Sequence, residues 1–568
     1  MDIKRLFLLI PLALLAYLII VQWNKDYGQP VTAHQAPPTV TNQQNSEPSG
    51  SADSALSAPS QPASNDGLAG SLPGQVPVQA ATNSRDLIAI TTDVLDLRID
   101  PVGGDVVYAA LLKHDQTQEG DQPFVLLNIP TANKGGSYYT AKSGLSLSDY
   151  KGRIDYTSQE PEYRLAKGDD QLDVALTANI NGVDVIKRFE LERDSYAVKV
   201  SYHLANESET PVTARFIGQL VRDNSPDPSS GPKMGMKSFL GAAFSSPDTR
   251  YEKINFDDIQ EGKVDNRDAK GGWVAMIQHY FTTAWAPPQN QQNLYYTSTD
   301  AQGRNLAVFA GPNVTVAPGS NADLEATLYM GPKVQKDLKE VAPNLELTVD
   351  FGWLWFIANP LFWLLEKIHS LIGNWGWSIV LLTVMVKAAL WPLSAKAYKS
   401  MGRMRKLGPE MQRLKEQFGD DRQKMSQEMM KFYQKEKINP LGGCLPILIQ
   451  MPVFIALYWM LLESVELRHA PFMFWIHDLS VKDPYFILPI LMGASMFVQQ
   501  MLNPTPPDPT QAKIMKMLPI VFTFFFLWFP AGLVIYWVTN NVISIAQQYY
   551  ITRQIENDPS VGKGLKTK

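Results

Sequence analysis

Cysteine is almost absent from this 568-residue chain, and Cys444 stands alone. A single thiol excludes an intrachain disulfide and any cysteine metal cluster, so an extracytoplasmic part must hold together by its core. Nor is there a glycine-rich nucleotide loop or a run of residues with metal-ligand spacing. His114, His203 and His279 are scattered and read as ordinary surface or core histidines. No internal repeat is visible. The formal net charge of −5 says little about partners, because it averages two unlike halves. The middle of the chain reads as a soluble β-rich protein and the last third as a membrane protein.

The N-terminus has Lys4 and Arg5 ahead of an apolar run from Leu6 to Trp23. At about 18 residues the run is long enough to span a bilayer, and "VQWNKDY" offers no small-residue cleavage site. Residues 1–27 therefore read as an uncleaved anchor with a cytoplasmic N-terminus, the alternative being a signal peptide that is removed. Residues 28–84, rich in Pro, Ser, Gln, Ala and Asn, are too poor in apolar surface to fold and read as a disordered tether. From 85 to 349 the pattern becomes an alternation of apolar and polar residues, as in "DVALTANINGVDVIKRFELE", with turns such as Asn181-Gly182. This predicts a large β-sandwich. Residues 351–373 are crowded with Trp and Phe but broken by Asn359-Pro360, which predicts an amphipathic helix lying in the interface.

Five apolar segments follow, at about 375–395, 440–462, 485–502, 515–528 and 532–550. The 396–437 connection carries twelve Lys/Arg against six acids, whereas the 463–484 connection has only Arg468 and Lys482 as bases. The positive-inside rule puts the first in the cytoplasm and the second outside. With the anchor this gives six spans, both termini inside, the β domain on the outer side and a cytoplasmic tail at 551–568. Within 396–437, Met404, Leu407, Met411, Leu414 and Phe418, then Met425, Met429 and Phe432, repeat at helical spacing around a "GDD" break. That pattern predicts a helical hairpin. Its seam either packs on itself or offers methionines to varied apolar segments. Its basic face suits a solvated loop, anionic lipid or ribosomal RNA.

Thr383, Lys387, Gln450, Gln499, Gln500, Asn540 and Asn541 lie inside the spans. Amides there often bond helix to helix. Lys387 is harder to place, because a charge in a span costs roughly 2.5–3.5 kcal/mol on insertion scales. It lies about 14 Å from Lys396 along a helix, too far for snorkelling alone to relieve. No acid sits in any span. Either Lys387 still reaches lipid phosphate, or the bundle encloses a hydrated cavity and a substrate brings the counter-charge.

"NPLGGCLPILIQMP" (439–452), "SVELRHAPFMFWIHDLSVKDPYFILPILMG" (464–493) and "FFFLWFPAGLVIYWVTNN" (524–541) closely resemble the YidC family of membrane protein insertases, in its Gram-negative form. The resemblance covers the whole chain. It implies an α-helical polytopic protein of the inner membrane: an anchor, a five-span core with its cytoplasmic hairpin, and a periplasmic β-supersandwich like that of sugar mutarotases. It implies a chaperone for membrane proteins, without cofactor, metal or covalent chemistry, whose partners are nascent membrane proteins, lipid, the Sec translocon, and the ribosome and signal recognition machinery through the hairpin and tail; DNA is not among them. Its hydrated groove, open to the cytoplasm, maps onto Lys387, Thr383, Met451, Tyr536 and Trp537. Lys387 stands where many relatives have arginine, keeping the charge but losing the planar fork. Trp537 replaces a family tyrosine. Two other classes remain: a solute transporter using Lys387 for an anion, and an anchored sugar-processing domain.

Overall fold

The computed structural model describes residues 86–118, 120–130, 136–230, 238–418, 421–435, 445–503 and 509–557. The expected anchor and tether, and the tail beyond 557, lie outside these residues.

The alternating region folds into two large β-sheets, of eleven and nine strands among the described residues. Every pairing is antiparallel except that of Ile88–Thr91 with Glu162–Arg164. Alternation places one side of each strand in a core shared by both sheets, as in Val183–Glu192, where Val183, Val185, Phe189 and Leu191 are buried. That strand pairs with Gln171–Ile180 through Asn181 and Gly182, both at positive φ (50° and 81°), the backbone a two-residue hairpin of matching twist requires.

The same alternation drives Lys187 into this core. Its Nζ donates to the carbonyls of Gly103 (3.0 Å) and Gly104 (2.7 Å) and to Ser143 Oγ (2.8 Å). Phe189 and Tyr202 lie within 5.3 Å of the ammonium. Burial pushes Lys187 down to about 7. The approach needs a bare backbone at residue 104: a Cβ on Gly104, whose φ is +64°, would lie 2.8 Å from the Lys187 side chain. Gly104→Ala is expected to cost the β domain about 2 kcal/mol through strain and displacement of Lys187, read as a lower denaturation midpoint.

Nine helices follow among the described residues. The first, α1 (Trp355–Ile372), buries Ala358, Phe362, Leu365 and Ile368 at steps of three and four, and exposes Trp355, Phe356, Trp363 and Leu371. Helix α2 (Trp375–Ala389) is capped by the Asn374 side chain, which accepts from Trp377 N (3.0 Å). The expected continuous span 375–395 is broken: α2 ends at Leu390 and α3 (Trp391–Lys406) leaves at 68°. Pro392 accounts for the break, since its ring disfavours a continuous helix and it supplies no N–H to the preceding turn. α3 runs unbroken through Lys396, so the hairpin starts later than expected, with α4 (Gly408–Phe418) and α5 (Arg422–Lys435). Then come α6 (Leu445–Glu463), α7 (Ile487–Leu502), α8 (Pro509–Phe526) and α9 (Ala531–Asn557). No single described helix is long and apolar enough to cross a membrane by itself, whereas the bent pair α2–α3 meets that test jointly.

The β domain docks on one end of this helical region. Lys333 Nζ pairs with the Glu463 carboxylate at 3.0 Å, both side chains almost wholly buried, and also donates to Thr348 O. His279 Nε2 donates to Leu462 O (2.8 Å), a carbonyl in the unsatisfied last turn of α6. Arg468 donates to Asp115 O and Gln116 O and lies 5.5 Å from the Phe124 and Phe281 rings. Breaking one partner of a buried ion pair strands the other. Lys333→Met alone should therefore cost about 3–5 kcal/mol, and Lys333→Met/Glu463→Leu should recover most of it, by chemical denaturation of the purified protein. Burial also holds the His279 imidazole below its ordinary value, outweighing Glu463 and Asp227, which favour its protonation, and adding to Lys333, which opposes it. Its contribution is therefore present above the ordinary histidine range and is lost as pH falls through the lowered value.

Candidate functional site

Helix α9 is the hub of the helical region. Its polar residues Asn540, Asn541, Ser544, Gln547, Gln548 and Thr552 are all buried, at helical spacing. Each of four neighbouring helices takes part of this stripe. Towards α7, Asn541 donates to Ser495 Oγ and Gln548 to Asn503 Oδ1, both at 2.9 Å. Towards the α2–α3 bend, Gln547 donates to Trp391 O at 3.4 Å. Towards α2 and α6 it meets Lys387.

Lys387 lies in the last turn of α2 and is only 6% exposed. Its ammonium donates to Ser544 Oγ (2.7 Å) on α9 and to Gln450 Oε1 (3.2 Å) on α6. Ser544 passes its own proton to Asn540 O (2.7 Å). Gln450 uses its amide group on Asn540 Oδ1 and, at 3.4 Å, on the Tyr536 hydroxyl. One cation thus joins three helices, and every hydrogen-bond acceptor it has is neutral. No described carboxylate pairs with it; Glu463, the acid nearest in sequence to the spans, is taken by Lys333. Such a site engages two of the ammonium's three N–H donors and leaves its charge unbalanced, an arrangement that can accept an anion.

The residues expected from sequence are brought together unequally. Lys387 and Tyr536 share the network through Gln450. Thr383 is buried one turn before Lys387, but its hydroxyl donates to Ile379 O (2.6 Å) of its own helix. Met451 follows Gln450 on α6 and is half-buried. Trp537 belongs to an aromatic wall instead, with Phe454 at 4.6 Å and Phe526 at 5.2 Å, and its indole N–H has no acceptor among the described residues. Sequence reasoning noted Gln450 and Asn540 only as polar residues and missed Ser544. The signal was present as the 540–544–547 spacing, which puts polar atoms on one face of α9.

These contacts predict contrasting outcomes at residue 450. Gln450→Leu removes an acceptor from Lys387 and a donor from Asn540, and should lower stability by about 1–2 kcal/mol. Gln450→Glu places a carboxylate beside the ammonium and should raise the thermal midpoint in detergent.

Comparisons with known proteins agree across the chain. The family described as "60Kd inner membrane protein" matches residues 367–558, and that described as "YidC periplasmic domain" matches residues 87–364. The chain is similar to "Membrane protein insertase YidC" of Stutzerimonas stutzeri (strain A1501), 54% identical over 98% of this chain and 99% of the relative. It is 52% identical, at the same coverage, to the protein of that name from Pseudomonas fluorescens (strain SBW25). Among solved structures, an active YidC insertase with its first transmembrane domain resolved covers 82% of this chain and 93% of its own length, at 18% identity and a TM-score of 0.36. A galactose mutarotase-related enzyme from Lactobacillus acidophilus covers 43% of this chain and 97% of its own length, at 10% identity and a TM-score of 0.29.

Proposed function

Because the chain belongs to the YidC family of membrane protein insertases, we propose that it moves substrate segments into the inner membrane by offering them Lys387 as a temporary counter-ion. In this reading the core crosses the membrane five times and the N-terminal anchor once. Both termini and the α4–α5 hairpin face the cytoplasm, and the β domain is periplasmic. The twelve-to-six excess of bases over acids at 396–437 supports that orientation.

The observation that carries the proposal is the Lys387 network. A buried ammonium held, among the described residues, by Gln450 and Ser544 retains an unbalanced charge. Exchanging those neutral acceptors for a substrate carboxylate turns hydrogen bonds charged on the donor side alone into an ion pair. A short polar tail entering a hydrated, cytoplasm-open groove meets this charge instead of lipid. The flanking apolar segment then moves along Met451 on α6 and Tyr536 and Trp537 on α9 into the bilayer. Burial of its apolar surface, worth about 25 cal/mol per Å², drives completion. Thr383 lines the same helix as Lys387 and contributes shape rather than a free hydroxyl. Nascent membrane proteins are the substrates. The Sec translocon, the ribosome and the signal recognition machinery are the proposed partners, the last two through the hairpin and tail, with lipid throughout.

The test is reconstituted insertion of one single-span substrate carrying zero, one or two tail acids. Lys387→Arg should keep the activity. Neutral replacements should hurt the two-acid substrate most, and Lys387→Glu should be worst. Equal efficiencies for Lys387→Glu and the unmodified chain across the series would end the electrostatic reading. Gln450→Glu, although more stable, should insert acidic tails poorly, because its own carboxylate occupies the ammonium. Removing Gly408–Lys435 should lower insertion while the remaining helices stay assembled; normal insertion by that variant would reduce the hairpin to a connector.

A further inference from the structure

Phe474, in the loop between α6 and α7, combines two costly properties. Its backbone is left-handed at φ +56°, a region that a bulky side chain rarely adopts, and its ring is 77% exposed. The conformation is imposed by its neighbours. Phe472 packs edge-on against Trp377 at 5.4 Å, and Asn374 donates to Pro471 O and Phe472 O. Phe472 N donates to Ile476 O, closing a tight turn around residue 474. Trp475 Nε1 donates to Asp483, whose other oxygen accepts from Leu488 N in the first turn of α7. Buried Ile476 and Leu479 anchor the far side. The loop is thus a mount that holds the phenyl ring largely exposed, with the Trp475 ring stacked at 6.1 Å as its aromatic neighbour.

A second aromatic pair stands at the same end. Tyr485 and Phe486 are exposed, Phe486 is also left-handed (φ +58°), and the Lys482 ammonium lies 5.5 Å from its ring. They run directly into the exposed apolar side of α7, formed by Ile487, Ile490, Leu491, Phe497 and Met501. With 16 residues α7 is about 24 Å long, short of the ~30 Å hydrocarbon layer. On the other side of the loop, stacking of His369 on Trp375 at 3.9 Å brings the end of α1 to the start of α2, beside Asn374. The exposed Leu371 and Ile372 lie at that end of α1.

We propose that Phe474, Tyr485 and Phe486 form a lipid-contact surface, seated at the headgroup–acyl boundary of the outer leaflet and continuous with the exposed face of α7. The chemistry fits that partner. Aromatic rings favour this depth, Lys482 snorkels over Phe486 to phosphate, and the rings extend a helix too short to span unaided. Strain at Phe474 is maintained because the exposed ring gains burial in lipid that it lacks in water. This rests on reading the helical region as membrane-embedded with 463–484 outside.

The test places nitroxides by cysteine substitution in a Cys444→Ser background of the full chain, reconstituted in phosphatidylethanolamine–phosphatidylglycerol liposomes. Labels at Phe474 and Phe486 should be accessible to oxygen and shielded from a water-soluble nickel chelate, like a label at Trp355. A label at Leu491 is the control. If it too is water-accessible, the embedded reading fails; if it is lipid-exposed while 474 and 486 are open to the chelate, the proposal is overturned and the surface belongs to a protein partner or to water. Phe474→Asn supplies a second arm, since asparagine tolerates the left-handed backbone. Its thermal midpoint in detergent should be unchanged or higher, with the stabilisation gained on transfer to liposomes reduced. A large loss of stability in detergent itself would show that the ring packs as part of the fold, against the proposal.

Discussion

An ammonium buried among neutral acceptors governs the arrangement of the helical region. Lys387 is worth its cost only if the helices around it stay where their polar atoms are, so α2, α6 and α9 cannot shift without exposing the charge to hydrocarbon. Gln450 serves two masters, accepting from Lys387 and donating to Asn540 and Tyr536. The stripe on α9 extends the same restriction to α7 through Ser495 and Asn503. Apolar packing alone would leave such helices free to slide in lipid, where one apolar contact is nearly as good as another. Discrete polar pairs fix the register.

The β domain shows the opposite use of a lysine. Lys187 occupies an inward strand position, as Val185 and Phe189 do, and its charge is absorbed by carbonyls that two glycines expose. Its acceptors converge from Gly103, Gly104 and Ser143, so that site is closed, structural and saturated. Lys387 has acceptors on two other helices and no opposing charge among the described residues. The two lysines differ in what surrounds them: backbone carbonyls dominate at Lys187, side chains of other helices at Lys387.

Period and composition were enough to reveal the strands, the Asn181–Gly182 turn, the helical region and the anomaly of a lysine at 387 in an apolar helix, because each is a local property of the chain. Pro392 carried the information for the bend at Leu390, but an apolar run of the right length concealed it. What lay beyond reading depends on distant pairs. Nothing near Glu463 announces Lys333, 130 residues earlier. Nothing near Leu462 announces that its carbonyl is met by His279, 183 residues away. Ser544 is a middle case: its spacing from Asn540 was visible, but its role required knowing which neighbour faces it. The solvent-exposed ring of Phe474 was hidden for another reason, since a backbone angle leaves no compositional trace outside glycine and asparagine.

The contact between Lys333 and Glu463 also orders events during synthesis. At ~5–20 residues per second, the 130 residues that separate them take roughly 7–26 s to make. For that interval the β domain waits outside with its lysine in water, while α6, which ends in the matching carboxylate, does not yet exist. When α6 arrives, its last turn meets two prepared partners, a cation and an imidazole N–H, already fixed in a folded sheet. Part of that end of the helical region thus docks on residues made well before it.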